Sequence, residues 1–164
     1  MLNRHITAWA AILLVPCFLA GSDAPKAIDD LRLKTADQDA GNWLMYGRTD
    51  DDHRFSPLSQ INEQTVANLG LAWSRELCTT RGLEATPLVK DGVIYTTSSW
   101  SVVFAMDAKT GKVRWTYGPQ FPRERGYFAC CDVVNRGVAL YRGKVYVAAF
   151  DGRLIALNER TGIP

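Results

Sequence analysis

VKDGVIYTTSSWSVVFAMDAKTG (residues 89–111) and LYRGKVYVAAFDGRLIALNERTG (residues 140–162) are one pattern written twice. With residue 89 laid on residue 140, the two run to their ends without a gap. Gly92 meets Gly143, Tyr95 meets Tyr146, Ala105 meets Ala156, and Thr110–Gly111 meet Thr161–Gly162. Val103 and Phe104 meet Leu154 and Ile155, Asp107 meets Asn158, and Lys109 meets Arg160. Apolar positions stay apolar and turn positions stay turn-forming. Four short strands in a unit of about 40–50 residues is the period of a β-propeller blade. The pattern predicts first-blade strands over 85–89, 93–98, 102–106 and 112–117, with the Asp91-Gly92 pair as a hairpin turn, and a second blade from near Gly137. The expected fold is all-β, about two blades of a propeller. A propeller protects its strand edges by closing a ring, and two blades cannot close one. The sequence therefore reads as the N-terminal part of a longer protein, truncated before the second blade's last strand. A complete two-sheet sandwich is the alternative, which the gapless repeat disfavours.

Before the repeat lies a different kind of sequence. Arg4 precedes a largely apolar run, Ile6–Ala20, too short for an ordinary membrane span. Small residues at Ala20–Ser22 then offer a cleavage site, so residues 1–22 read as a signal peptide. A retained anchor and a lipoprotein modified at Cys17 are the alternatives, and Pro16 suits the second poorly. Residues 23–41 form a polar leader rich in Asp, and residues 42–164 form the partial propeller. No later apolar run is long enough to span a membrane, so no integral span is expected after cleavage. Net charge is +2 with no block of like charge, which argues against nucleic acid as a partner. Export places the chain in the periplasm, where disulfides persist. Cleavage leaves Cys78, Cys130 and Cys131, so one cysteine stays over under any intramolecular pairing.

The repeat also registers residues outside it. Glu84 stands just before one first strand and Arg136 just before the next, within one residue of the repeat offset. They are expected at matching places on neighbouring blades, on one rim near the propeller axis. Cys130 and Cys131 lie in the loop leading to that rim. Taken singly, Glu84 and Arg136 read as exposed charges, and the cysteines as two small buried thiols. Taken together they outline a site for a flat, acidic ligand. Arg136 offers a planar fork for a carboxylate, and Glu84 can accept a hydrogen bond. A vicinal disulfide, if formed, would present a flat, apolar, polarizable face.

Four stretches, NWLMYGRTDDDHRFSPLSQIN (42–62), EATPLVKDGVIY (84–95), AMDAKTGKVRW (105–115) and ACCDVVNRG (129–137), resemble the periplasmic quinoprotein alcohol dehydrogenases. The docking repeat alone is weak, because non-enzymatic propellers carry it; joined to EATP, the CCDVVNRG run is specific. The resemblance covers residues 42–164. It implies an eight-bladed propeller that uses pyrroloquinoline quinone (PQQ) with a calcium or lanthanide ion. It implies oxidation of a small-molecule primary alcohol, with electrons passing to a cytochrome c-type acceptor. By the same resemblance Glu84 hydrogen-bonds the cofactor, Cys130 and Cys131 form a vicinal disulfide stacked on its ring, and Arg136 grips one of its carboxylates. Trp115 packs on the next blade's turn. The family's metal ligands and aspartate base have no matching position here, so no catalytic and no metal residue is assigned in this segment. The missing C-terminal part has room for a haem c. Two other readings compete: a non-catalytic exported scaffold for membrane-protein assembly, and a PQQ-dependent sugar dehydrogenase.

The remaining features read plainly. INEQTVANLG (61–70) is a candidate short helix with Asn62 as N-cap and Gly70 past its end. His53 fits no metal-ligand spacing and reads as a solvated loop residue. Cys78 reads as a buried or semi-buried thiol, and Trp43, Trp73 and Trp115 as packing residues.

Overall fold

The computed structural model describes residues 27–164, so the signal peptide, Cys17 and the first leader residues lie outside the described residues. A short helix α1 (Asp30–Lys34) comes first. Strands β1 (Leu88–Lys90), β2 (Val93–Thr97), β3 (Val103–Asp107) and β4 (Val113–Tyr117) then form an antiparallel sheet in sequence order. After β5 (Cys130–Val133), strands β6 (Ala139–Tyr141), β7 (Lys144–Ala148) and β8 (Leu154–Asn158) make a second sheet of three. The two sheets repeat each other in register. Tyr95 faces Leu88 and Ala105, and Tyr146 faces Ala139 and Ala156.

The turns repeat as well. Asp91-Gly92 and Arg142-Gly143 both place two successive residues at positive φ, the twist-matched two-residue hairpin turn. Asp107 Oδ1 accepts hydrogen bonds from the Lys109 and Thr110 amides, and Asn158 Oδ1 accepts from Arg160 and Thr161. The acceptor oxygen is what the turn needs, so Asp and Asn interchange. Between the sheets, Leu88, Tyr95, Val103, Ala105 and Trp115 share one buried cluster with Leu140, Val145, Val147 and Leu157.

Indole rings join this packing. The Trp115 ring lies against Gly162, where an added Cβ would sit 2.5 Å from Cε3, and its Nε1 donates to the Glu159 carbonyl at 2.9 Å. Trp73 repeats the arrangement on Gly111, with Nε1 donating to the Ala108 carbonyl at 3.1 Å. Each tryptophan thus closes on the Asp/Asn-to-Gly turn of the sheet that follows it.

The structure differs from the sequence reading in four places. The leader is part of the fold from Ile28 onward. Ile28 is 1% exposed, its carbonyl accepts from the Arg142 amide at 2.8 Å, and Arg32 Nη2 meets Asp91 Oδ1 at 2.7 Å. The leader therefore touches the hairpin turns of both sheets. The helix expected over 61–70 is only a 3₁₀ turn, Val66–Asn68. Asn62 does not cap it: its Oδ1 accepts from the Gln64 and Thr65 amides in the turn before, and the residue at the cap is Thr65. Its apolar residues Ile61, Val66 and Leu69 are exposed, so no packed face sustains a longer helix. Cys78 is exposed rather than buried. The first strand starts at Leu88, three residues late, because Pro87 has no N–H to offer a ladder.

Candidate functional site

The ends of the two sheets meet through backbone first. The Thr86 amide donates to the Arg136 carbonyl at 3.4 Å. Gly137 has φ +118 and lies so close to Thr86 that an added Cβ would be 3.0 Å from its carbonyl oxygen. Only glycine fits that combination of conformation and contact. The approach brings Glu84 and Arg136 side by side, with Arg136 Nε 3.4 Å from Glu84 Oε2. Their side chains are 45% and 75% exposed, so the pair contributes little and opens at small cost.

Arg136 also lines a cleft of about 540 Å³ with Cys130, Cys131, Asn135, Phe128 and Phe150. Cys130 and Cys131 are joined by a disulfide across adjacent residues, with Cα atoms 3.8 Å apart, and both are exposed. Glu84 is outside this lining and stands beside Arg136 at the cleft's edge. Two carboxylates on the wall already have cationic partners, Asp132 with Arg81 and Asp151 with Arg153. Arg125 and Arg136 share the same wall. Such a wall favours an anionic ligand.

The loop that carries the disulfide is anchored from behind. Trp100 holds Arg123 over its ring, with Cζ 4.3 Å from the centroid, and Arg81 at 5.7 Å. Phe121 and Phe150 pack at 6.0 and 6.2 Å from the same ring. Gly126 lies against Trp100, where an added Cβ would come within 2.9 Å of Cη2. The sequence reading passed over Trp100, Arg125, Asn135 and Phe150. The visible signal was that Asn135 sits between an apolar pair and Arg136 at the tip of a loop.

A planar polycarboxylate fits this donor set. An exposed sulfur face can carry its ring, and exposed guanidinium groups can take its carboxylates. For a metal the answer differs: among the described residues, no group of three or more His, Cys, Asp or Glu side chains can hold one. His53 is exposed and meets Asp51 at 3.0 Å. No helix among the described residues is long and apolar enough to cross a membrane.

The family profile described as PQQ, the glucose/ethanol/alcohol dehydrogenase beta-propeller domain, matches residues 43–164. The chain belongs to this family. Quinohemoprotein alcohol dehydrogenase ADH-IIG of Pseudomonas putida is 53% identical over 141 residues, which is 86% of this chain and 20% of that protein. The solved structure of ADHIIG from Pseudomonas putida HK5 has a TM-score of 0.83 at 54% identity, covering 87% of this chain and 21% of that one. The 1-butanol dehydrogenase (cytochrome c) of Thauera butanivorans is 55% identical over 122 residues, 74% of this chain and 18% of that protein. A europium-containing methanol dehydrogenase has a TM-score of 0.76 at 36% identity, covering 82% and 24%. This chain spans about a fifth of the length of the curated relatives it matches. The fold is accordingly part of a quinoprotein propeller.

Proposed function

We propose that this chain is the cofactor-holding N-terminal segment of an exported, periplasmic quinoprotein that oxidises primary alcohols to aldehydes. The observation that carries the reading is the cleft itself, where an exposed vicinal disulfide and an exposed Arg136 share one wall in a chain of this family. Bound there, pyrroloquinoline quinone would supply the redox chemistry of alcohol oxidation. Arg136 binds a cofactor carboxylate through its planar fork. Release from Glu84 costs little, because that pair is long and wet. Glu84, freed in turn, accepts a hydrogen bond at the cofactor's edge. The Cys130–Cys131 face supports the ring and keeps water off one side of it.

A calcium or lanthanide ion, held by residues outside the described ones, belongs to the same proposal. The europium-containing relative supports a metal of that kind. A cytochrome c-type acceptor is supported by the relative named for one, and an additional haem c by the quinohemoprotein relatives. Alcohol rather than sugar is favoured because the matching relatives are named alcohol dehydrogenases.

The test uses the full-length polypeptide that carries this segment. Stripped of cofactor, it is titrated with pyrroloquinoline quinone. It is then supplied with calcium or a lanthanide, an artificial acceptor, and either primary alcohols or glucose. Saturable quinone binding and alcohol-dependent acceptor reduction are expected. Turnover with glucose alone favours the sugar dehydrogenase reading, and absence of quinone binding favours the scaffold.

A further inference from the structure

Arg136 is held weakly by its own side chain, since the exposed contact to Glu84 is 3.4 Å long. Its direction is set by its backbone, and that backbone is tied down by the residue before it. Asn135 Nδ2 donates to Ser101 Oγ at 3.1 Å and to the Ala148 carbonyl at 2.9 Å. Asn135 Oδ1 accepts from the Gly137 amide at 3.0 Å, and the Asn135 carbonyl accepts from Thr97 Oγ1 at 3.3 Å. Both amide protons and the amide oxygen are in use. The partners reach both sheets: Thr97 is in β2, Ser101 in the turn between β2 and β3, and Ala148 in β7.

Ser101 is the fixed point beneath. It is fully buried, and its Oγ also accepts from the Phe150 amide at 3.1 Å. Trp100 and Ser101 both have positive φ, at 64° and 59°. Two successive non-glycine residues in that region are costly and persist only where the surroundings enforce them. The strained corner aims the Ser101 hydroxyl at Asn135 and the Trp100 ring at the disulfide loop.

We infer that Asn135, seated on Ser101, is the positioning residue for Arg136, fixing the guanidinium relative to the disulfide plate across the join between the two sheets. The inference rests on the functional reading above. Asn135 borders the cleft, but both its amide protons and its amide oxygen are bonded within the protein, so its contribution to cofactor affinity should pass through Arg136 and vanish when Arg136 is gone.

The experiment is a double-mutant cycle in the full-length apo-polypeptide, read as pyrroloquinoline quinone affinity by fluorescence titration. Asn135→Ala should weaken binding by up to about tenfold, because an arginine no longer fixed by its backbone must be ordered when the ligand binds. In the Arg136→Ala background the same change should alter affinity by less than about twofold. Asn135→Asp keeps the volume and the acceptor for Gly137 but loses both donated bonds, and should show the same coupling. Ser101→Ala, which leaves the loop sequence intact, should couple in the same direction and serves if the Asn135 variants do not fold. Equal weakening in both backgrounds means a merely structural residue and overturns the inference, as does unchanged affinity in the single variants. If the unmodified polypeptide binds no quinone, the functional reading fails and takes this inference with it.

Discussion

Gly111→Ala should destabilise the fold far more than Gly92→Ala, although both glycines sit in hairpin turns at similar positive φ, +68 and +75. At Gly92 an added Cβ meets nothing within 4 Å, so only the left-handed backbone is penalised, at about 1–2 kcal/mol. At Gly111 the same penalty applies, and the Cβ would lie 2.5 Å from Trp73 Cε3 and 2.7 Å from Cδ2. Carbon atoms rest about 3.5–4.0 Å apart, so the indole must retreat by about 1 Å. That movement strains the packing, typically at about 1–3 kcal/mol. It also pulls Trp73 Nε1 off the Ala108 carbonyl, now at 3.1 Å, for about a further 1 kcal/mol. The excess of Gly111→Ala over Gly92→Ala should therefore be about 2–4 kcal/mol. Urea unfolding of the full-length polypeptide, followed by tryptophan fluorescence, measures both. If the two variants differ by less than about 0.5 kcal/mol, within the usual spread of surface substitutions, the indole-on-glycine contact does not hold the blades together.

Four other outcomes are expected. Arg136→Ala should weaken quinone binding more than Glu84→Gln, because a charge-assisted contact contributes about 1.5–3 kcal/mol against about 0.5–1.5 for a neutral one; titration of both apo-variants checks this, and neither should shift the apo unfolding midpoint, since their mutual contact is exposed. Intact mass after alkylation should show one labelled thiol, Cys78, in the unreduced exported chain and three after reduction. Arg32 beside Asp91 holds that carboxyl below the ordinary carboxylate range, so its stabilising contribution is complete above the unfolded pKa of about 4 and is lost as pH falls through the lower folded value; Asp91→Asn should flatten the acid limb of stability in that window, as read by acid titration of near-UV circular dichroism. Residues 23–164 alone, given quinone, metal, alcohol and acceptor, should give no sustained turnover above a cofactor-only control, because neither a metal ligand set nor a base is assigned within them.

What the sequence made legible was whatever the repeat governs. Tyr95 and Tyr146 and the Asp107 and Asn158 turns follow from local chemistry copied twice, so one alignment reveals both copies. Trp115 over Gly162 came with the family resemblance, and Trp73 over Gly111 only with the structure. Glu84 and Arg136 were placed by the same offset. What stayed hidden depends on partners remote in sequence and unrelated by the repeat. The pairing of Arg32 with Asp91 joins residues far apart along the chain, and the Tyr141 hydroxyl reaches still further back to Asp30 at 2.7 Å. Asn62 and Gly70 marked the ends of a helix over 61–70, yet end signals do not supply a surface for Ile61, Val66 and Leu69 to pack against. Asn135 lies within a quoted motif, but its side-chain bonds to Ser101, Ala148 and Gly137 join residues that the motif does not relate.

The site arises where the repeat is interrupted. Trp73 stands 11 residues before Glu84, whereas Trp115 stands 21 residues before Arg136. Both stretches do the same work, leading from a docking tryptophan to the start of the next sheet. The longer one carries in addition the 3₁₀ turn Arg123–Phe128 and strand β5 with its disulfide. Symmetry alone would set a carboxylate beside a guanidinium, an exposed ion pair of small consequence. The inserted segment adds a sulfur face to that pair. An insertion of this length in a surface loop costs little conformational entropy by itself, but a mobile plate could not support a ring. The first sheet removes the mobility from behind: its strained Ser99–Ser101 corner sends Trp100 against Gly126 and Arg123, and Ser101 against Asn135. Position therefore comes from the repeat, and chemistry comes from its interruption. The corner at Trp100–Ser101 couples the two: it occupies the place of Asp151–Gly152 in the repeat, and Ser101 holds there the positive φ that the second copy gives to a glycine, so that its hydroxyl can reach Asn135.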